Sequence, residues 1–200
     1  MINQLCDDLK ERYVITESDT LETFLGIRIH STKSGMYLSQ PGHLQKIFDL
    51  AQNDRKTKST PMSADFSDTQ QDDSPKLTTA SGEPNEKSLS YFQSLLGMIM
   101  FVVRTRPDIA FAVNRLAVRT SKATEKDLKA LRRVASYLYG SRHWELVYAK
   151  GSGTPDLYAY SDASFVTHPD GKSHMGFCIG YGSNSGFSFS KIGYAQLNRI

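Results

Sequence analysis

Apolar residues recur at helical spacing from the first turns of this chain. Ile2, Leu5, Leu9 and Tyr13 fall on one face, so the sequence opens on an amphipathic helix. The next pattern is different. Thr23-Phe24-Leu25-Gly26-Ile27-Arg28-Ile29 is rich in β-formers and alternates towards its end. Lys33-Ser34-Gly35 supplies a turn and Met36-Tyr37-Leu38-Ser39 returns, which predicts a hairpin with a polar loop. Pro41 suits the first position of a helix whose apolar face is Leu44, Ile47, Phe48 and Ala51. Residues 52–87 lose this order. They are rich in Ser, Asp, Thr, Gln and Pro and poor in apolar positions, so a long, mobile connection is expected.

Helical spacing resumes at Leu89. Tyr91, Leu95, Ile99 and Val102 share a face, with Phe92, Leu96 and Met100 beside it. A helix this apolar nearly all round is expected to be buried. Arg104-Thr105-Arg106-Pro107-Asp108 interrupts it, and Pro107 with Asp108 suits the first turn of another helix continued by Ile109, Val113 and Leu116. Thr124 is placed as an N-cap, with Glu125 and Asp127 in the first turn. Leu128, Leu131, Val134, Ala135 and Leu138 form the core face of that helix, and Gly140 is expected to end it as a C′ residue. Short strands are then expected at Trp144–Tyr148, Leu157–Tyr160, Gly176–Ile179 and from Gly186 to Ser190, as an antiparallel meander. The fold class is α+β. A meander that stops at Ile200 leaves unpaired backbone at its edge, so the last domain is expected to be cut short.

Composition narrows the function classes. The apolar fraction is 39%, enough for a core, and the net charge is +3, too mild to identify a nucleic-acid partner by itself. Cys6 and Cys178 lie far apart without metal-site spacing, which points to a reducing, intracellular setting, cytoplasmic or nuclear. The most apolar run, Leu95–Val103, is too short to span a bilayer, and no membrane partner is expected.

Three groups carry candidate chemistry. Asp162 sits among Ser161, Ala163 and Ser164, at or just past the end of a strand. Small neighbours leave room for a metal or phosphate, and an isolated carboxylate suits magnesium. The same aspartate can instead cap a turn through its own backbone. Lys122, Lys126, Lys129, Arg132 and Arg133 lie mostly on the polar side of their helix. Such a face binds phosphates, or it is simply solvated. Asp7 and Asp8 invite comparison with a polymerase metal pair, but they fall mid-helix on its polar face, whereas such a pair sits at a tight hairpin.

Taken in order, several segments resemble the Pol polyprotein of copia-type retrotransposons. They are Phe24-Leu25-Gly26-Ile27 with Tyr37-Leu38-Ser39-Gln40, Ser59-Thr60-Pro61-Met62, and Tyr91 through Gly97. Thr105-Arg106-Pro107-Asp108-Ile109-Ala110 with Ala112-Val113-Asn114 is the most specific. Tyr137-Leu138-Tyr139-Gly140, then Tyr160-Ser161-Asp162-Ala163 with Lys172-Ser173 and Gly176, complete the series.

The resemblance implies four regions. Residues 1–51 are the end of a reverse transcriptase palm, residues 52–87 a mobile linker, residues 88–142 thumb-like helices, and residues 143–200 a truncated ribonuclease H-like sheet. The palm's last hairpin and the thumb-like helices would grip primer and template, with Lys126, Lys129, Arg132 and Arg133 as phosphate contacts. Arg104 and Arg106 would either join them or pair with acidic neighbours inside the fold. The implied partners are an RNA–DNA hybrid or other nucleic acid and the remaining Pol segments or a second copy. The implied cofactor is Mg2+, and Asp162 matches the first carboxylate of the ribonuclease H cluster. The polymerase aspartates lie upstream of the segment matched, and the later ribonuclease H carboxylates beyond Ile200. An enzyme inactive alone is therefore expected, with a non-catalytic nucleic-acid-binding or interaction module as the alternative.

Overall fold

The hairpin pattern of residues 23–39 folds as three strands rather than two: β1 (Thr23–Phe24), β2 (Ile27–Ser31) and β3 (Gly35–Ser39). The break is at Leu25 and Gly26, whose φ values are 50° and 76°. Two successive residues in the left-handed region make the kind of two-residue turn whose twist matches antiparallel strands. Phe24 therefore pairs with Ile27, and Thr23 with Arg28. The computed structural model describes residues 2–15, 20–52, 56–64, 66, 74–77, 89–150, 156–164, 173–182 and 189–197.

The strand expected to open the second sheet closes the first one instead. It spans Leu146–Ala149 (β4) and runs antiparallel to β3, with Leu38 opposite Leu146 and Met36 opposite Tyr148. The first sheet thus has four strands in the order β1-β2-β3-β4. Gly35 makes the pairing possible, because a Cβ there would collide with the Tyr148 carbonyl oxygen. The Lys150 amide donates to the Ser34 carbonyl at 2.8 Å and extends the contact past the strand. A period of two marks a strand, but it does not say which neighbour that strand will take.

The helices follow the apolar stripes closely. They are α1 (Ile2–Lys10), α2 (Pro41–Leu50), α3 (Leu89–Val102), α4 (Ala110–Ala117) and α5 (Glu125–Gly140), with a 3-10 turn at Pro107–Ile109 before α4. One core joins α2 to α5, centred on Ile47, Phe92, Leu95, Ile99, Leu131 and Leu138. It crosses the boundary expected between residues 51 and 88. Burying each large aliphatic side chain stabilises the fold by about 1.5–3 kcal/mol, so this core is the main source of stability. The Tyr91 hydroxyl donates to the Leu50 carbonyl at 2.9 Å, and the His43 Nε2 lies 2.9 Å from the Met98 carbonyl. Both bonds tie α2 to α3.

Three expectations change. First, α3 is not buried all round, for Met100 is 49% exposed on the side away from the core. Second, α1 forms, yet Leu5 and Tyr13 are 58% and 63% exposed. Its apolar stripe therefore has no deep seat among the described residues. Third, Gly140 is the last residue of α5 rather than a left-handed cap, and Ser141 takes the cap with φ −112°. The glycine serves a close approach, since a Cβ on it would meet the Thr57 side chain at 3.2 Å.

Some of the described residues within 52–87 meet the helices. Met62 and Phe66 pack against the core, and Leu77 is buried in it. The Leu77 amide donates to Ala123 at 2.9 Å, and the Glu125 amide donates to Pro75 at 3.0 Å.

A second sheet holds β5 (Asp156–Ser164), β6 (Ser173–Gly182) and β7 (Phe189–Leu197), in that order and antiparallel, as the meander predicts. Residues 165–172, between β5 and β6, lie outside the described residues. Among the described residues no helix is long and apolar enough to cross a membrane.

Candidate nucleic-acid interface

The β1–β2 turn presents apolar side chains to solvent. Phe24 is 58% and Leu25 66% exposed. A leucine in the left-handed region is held against its own preference, at a cost of roughly 1–2 kcal/mol. Strain kept at an exposed apolar tip marks a contact surface more readily than a packing need. Arg28 follows on β2, 59% exposed, with its guanidinium 3.5 Å from Glu145. Glu145 also accepts a hydrogen bond from the Ser39 hydroxyl at 2.9 Å, so the base of the hairpin is fixed to the chain leading into β4. Reading the residues as one continuous strand hid this tip, and the only local signal was Gly26.

The basic face of α5 is more occupied than the sequence implies. Arg133 donates through Nε to the Thr60 carbonyl at 3.2 Å and through its terminal nitrogen to the Thr60 hydroxyl at 2.8 Å. Arg132 is half-buried, its guanidinium 5.6 Å from the Tyr91 ring centre. Lys126 is half-buried too, 6.0 Å from the Phe66 ring centre. Lys129 stands exposed. Residues 57–64 with Phe66 thus form a strap across α5, meeting Gly140 at Thr57, Arg133 at Thr60 and Lys126 at Phe66. Lys126, Lys129, Arg133 and Gly140 are spaced by three, four and seven residues, one helical face. Most of the cations expected to meet phosphate are therefore already in contact with the protein, and Lys129 is the most open.

Arg106 resolves in favour of the interior. It is 3% exposed. It donates to both carboxylate oxygens of Asp108, at 2.9 and 2.7 Å, and to the Ser141 carbonyl and hydroxyl at 3.0 and 2.7 Å. Its guanidinium lies 5.5 and 5.3 Å from the Tyr137 and Trp144 ring centres. The Tyr137 hydroxyl donates to Asp108 at 2.7 Å. Beside it, the Thr105 hydroxyl donates to the buried Gln40 amide oxygen at 2.8 Å. The Thr-Arg-Pro-Asp box is thus a brace between the turn before α4, the end of α5 and the start of α2. Burial raises the Asp108 pKa, but the Arg106 and Tyr137 hydrogen bonds and the Arg106 charge outweigh it and set the value below the ordinary one. Burial and the neighbouring Asp108 raise that of Tyr137. Arg104 stays exposed, 4.8 Å from the Phe101 ring centre.

Asp162 lies inside β5, two residues before its end rather than past it, and it is exposed. Gly176 of β6 stands directly opposite it. A two-magnesium centre needs several converging carboxylates. Among the described residues no group of three or more His, Cys, Asp or Glu could hold a metal ion, so Asp162 contributes one carboxylate and the described residues do not build such a centre.

Known proteins are similar to most of the chain. The chain is 32% identical over 170 residues to the retrovirus-related Pol polyprotein from transposon RE1 of Arabidopsis thaliana, which covers 85% of this chain and 11% of that one. It is 28% identical over 186 residues to an uncharacterised mitochondrial protein of Arabidopsis thaliana, covering 92% and 72%. It is 30% identical over 160 residues to a transposon Ty5-1 protein of Saccharomyces cerevisiae, covering 78% and 48%. The chain thus spans a small part of the length of the curated polyproteins that it matches. No protein-family profile and no solved structure matches it.

Proposed function

The chain belongs to the retrovirus-related Pol polyproteins of transposons, and from that premise we propose that it is the copia-type segment that grips primer and template behind a polymerase active site. The observation that carries this reading is the exposed, strained tip of Phe24 and Leu25, with Arg28 beside it. An apolar tip next to a cation suits a nucleic-acid strand, whose sugars and bases are apolar on their faces and whose phosphates are charged. Lys129 is a second phosphate contact on α5. Binding of this kind follows the shape and backbone of an RNA–DNA hybrid and carries little sequence preference. On the same reading Asp162 is one member of a ribonuclease H carboxylate set. The other members would come from the rest of the polyprotein or a second copy, and Mg2+ would supply the metal there.

The test uses a labelled RNA–DNA hybrid with magnesium, recording binding over a salt series and RNA cleavage in the same samples. Salt-sensitive binding is expected, and Lys129→Gln should reduce the slope of log affinity against log salt by about 1. RNA cleavage lost in Asp162→Asn would mean that a complete metal centre forms in solution. No binding at low salt would remove the nucleic-acid reading for this chain. That no cluster of three or more possible metal ligands forms among the described residues favours a second reading, a binding module without chemistry, and binding without cleavage is its expected result.

A further inference from the structure

We propose that Thr60 is an acceptor for phosphate from a proline-directed protein kinase, and that Arg133 and Lys129 of α5 receive the phosphate. The chain has three Ser/Thr-Pro pairs: Thr60-Pro61, Ser74-Pro75 and Thr154-Pro155. Residues 154 and 155 lie outside the described residues. Ser74 is half-buried, and the carbonyl of the following Pro75 is held by the Glu125 amide. Thr60 differs in its exposure and in being held by a side chain, Arg133. It is exposed, as are Thr57, Lys58 and Ser59 before it. The strap holds α5 at this point through Arg133, a side chain that can release it without breaking a sheet or helix.

The same arrangement says what the phosphate would meet. The Thr60 hydroxyl donates to the Met62 carbonyl at 3.0 Å while it accepts from Arg133 at 2.8 Å. In the transfer, that hydroxyl oxygen attacks the γ-phosphorus of ATP. An oxygen–phosphorus bond forms, the bond to the β–γ bridging oxygen breaks, ADP leaves, and the hydroxyl proton passes to a base on the kinase. The product carries close to two negative charges and three acceptor oxygens where a neutral hydroxyl stood. Arg133 already points two nitrogens at Thr60, so hydrogen bonds from a cation to neutral oxygens give way to a pairing of opposite charges in place. Lys129, one turn earlier on the same face and exposed, is in position to add a second cation. The modification would tighten the strap into a clamp.

The full chain is treated with a purified mitogen-activated protein kinase and ATP with magnesium, and the phosphate is mapped by mass spectrometry. Native chain should take phosphate on Thr60, Thr60→Ser should still take it, and Thr60→Ala should lose it. Trypsin then reads the clamp by cutting after Lys58. Phosphorylated chain should be cut about tenfold more slowly than phosphorylated Arg133→Met, a factor equal to about 1.4 kcal/mol. Comparing two phosphorylated chains removes any direct effect of phosphate on the protease. Lys129→Gln should fall between them, and it replaces Arg133→Met if circular dichroism shows that variant unfolded. Phosphate entering Thr60 only after heat unfolding would overturn the acceptor assignment. Equal cutting of the phosphorylated chain and the phosphorylated variants would overturn the receiving role of α5.

Discussion

Asp108 holds two partners at once, the Arg106 guanidinium and the Tyr137 hydroxyl. Removing its charge leaves the buried Arg106 with no anionic partner, only the Ser141 oxygens and one neutral amide oxygen to accept from it. Asp108→Asn should cost about 2 kcal/mol at neutral pH, less than a fully buried pair because the Asp108 side chain is 32% exposed. Its folded pKa lies below the unfolded value. The charged form is therefore the one folding favours. Its stabilising contribution is full above the unfolded value of about 3.9 and is lost as pH falls through the folded one. Urea midpoints of wild type and Asp108→Asn should converge as pH drops below about 4, and curves that stay parallel would rule the linkage out. Leu25 makes the opposite prediction. Leu25→Gly removes left-handed strain and should gain about 1 kcal/mol in urea unfolding, while hybrid binding weakens. The two residues also differ in how far sequence exposes them. Arg106 beside Asp108 offered pairing as one of two options, and the structure selects it. Nothing about a leucine announces a positive φ, because the turn that demands it is set by the pairing of β1 with β2.

At the level of elements, α5 shows what a sequence states openly. The Thr124 hydroxyl accepts from the Asp127 amide at 3.4 Å, and the Asp127 carboxylate accepts from the Thr124 amide at 2.8 Å. Asp127 also lies 2.7 Å from Arg119, which anchors the helix start to the chain after α4. Thr124→Ala should cost about 1–2 kcal/mol, read as a drop in urea midpoint without a change of slope. Cap, apolar stripe and first-turn acids were all legible, because each is local and periodic. The strap was not. Its anchors are Thr57, Thr60, Met62 and Phe66, single residues set among Lys58, Ser59, Pro61, Ser63 and Ala64, and no repeat marks such a segment as docked. The cations of α5 were legible as residue types, but the strap that crosses the helix was invisible to composition.

For the molecule as a whole, one helical core and one sheet are shared by segments far apart in sequence. The helices were legible because burial on one side imposes a 3.6-residue repeat. The partner of β4 was not, since pairing is chosen by what surrounds the strand rather than by its residues. Gly35→Ala tests that pairing. Amides of β4 should exchange faster with solvent while those of α3 and α5 keep their protection. Equal exchange at β4 would mean that the strands part from each other more easily than the register implies.

The join between β3 and β4 also sets an order in time. Ser39 and Leu146 are separated by 106 intervening residues (146 − 39 − 1). A ribosome adding about 5–20 residues per second needs on the order of ten seconds to supply them. Through that interval β3 has a bare edge and no strand of its own to fill it. Any extended chain nearby can occupy the place first, and β4 must then displace it.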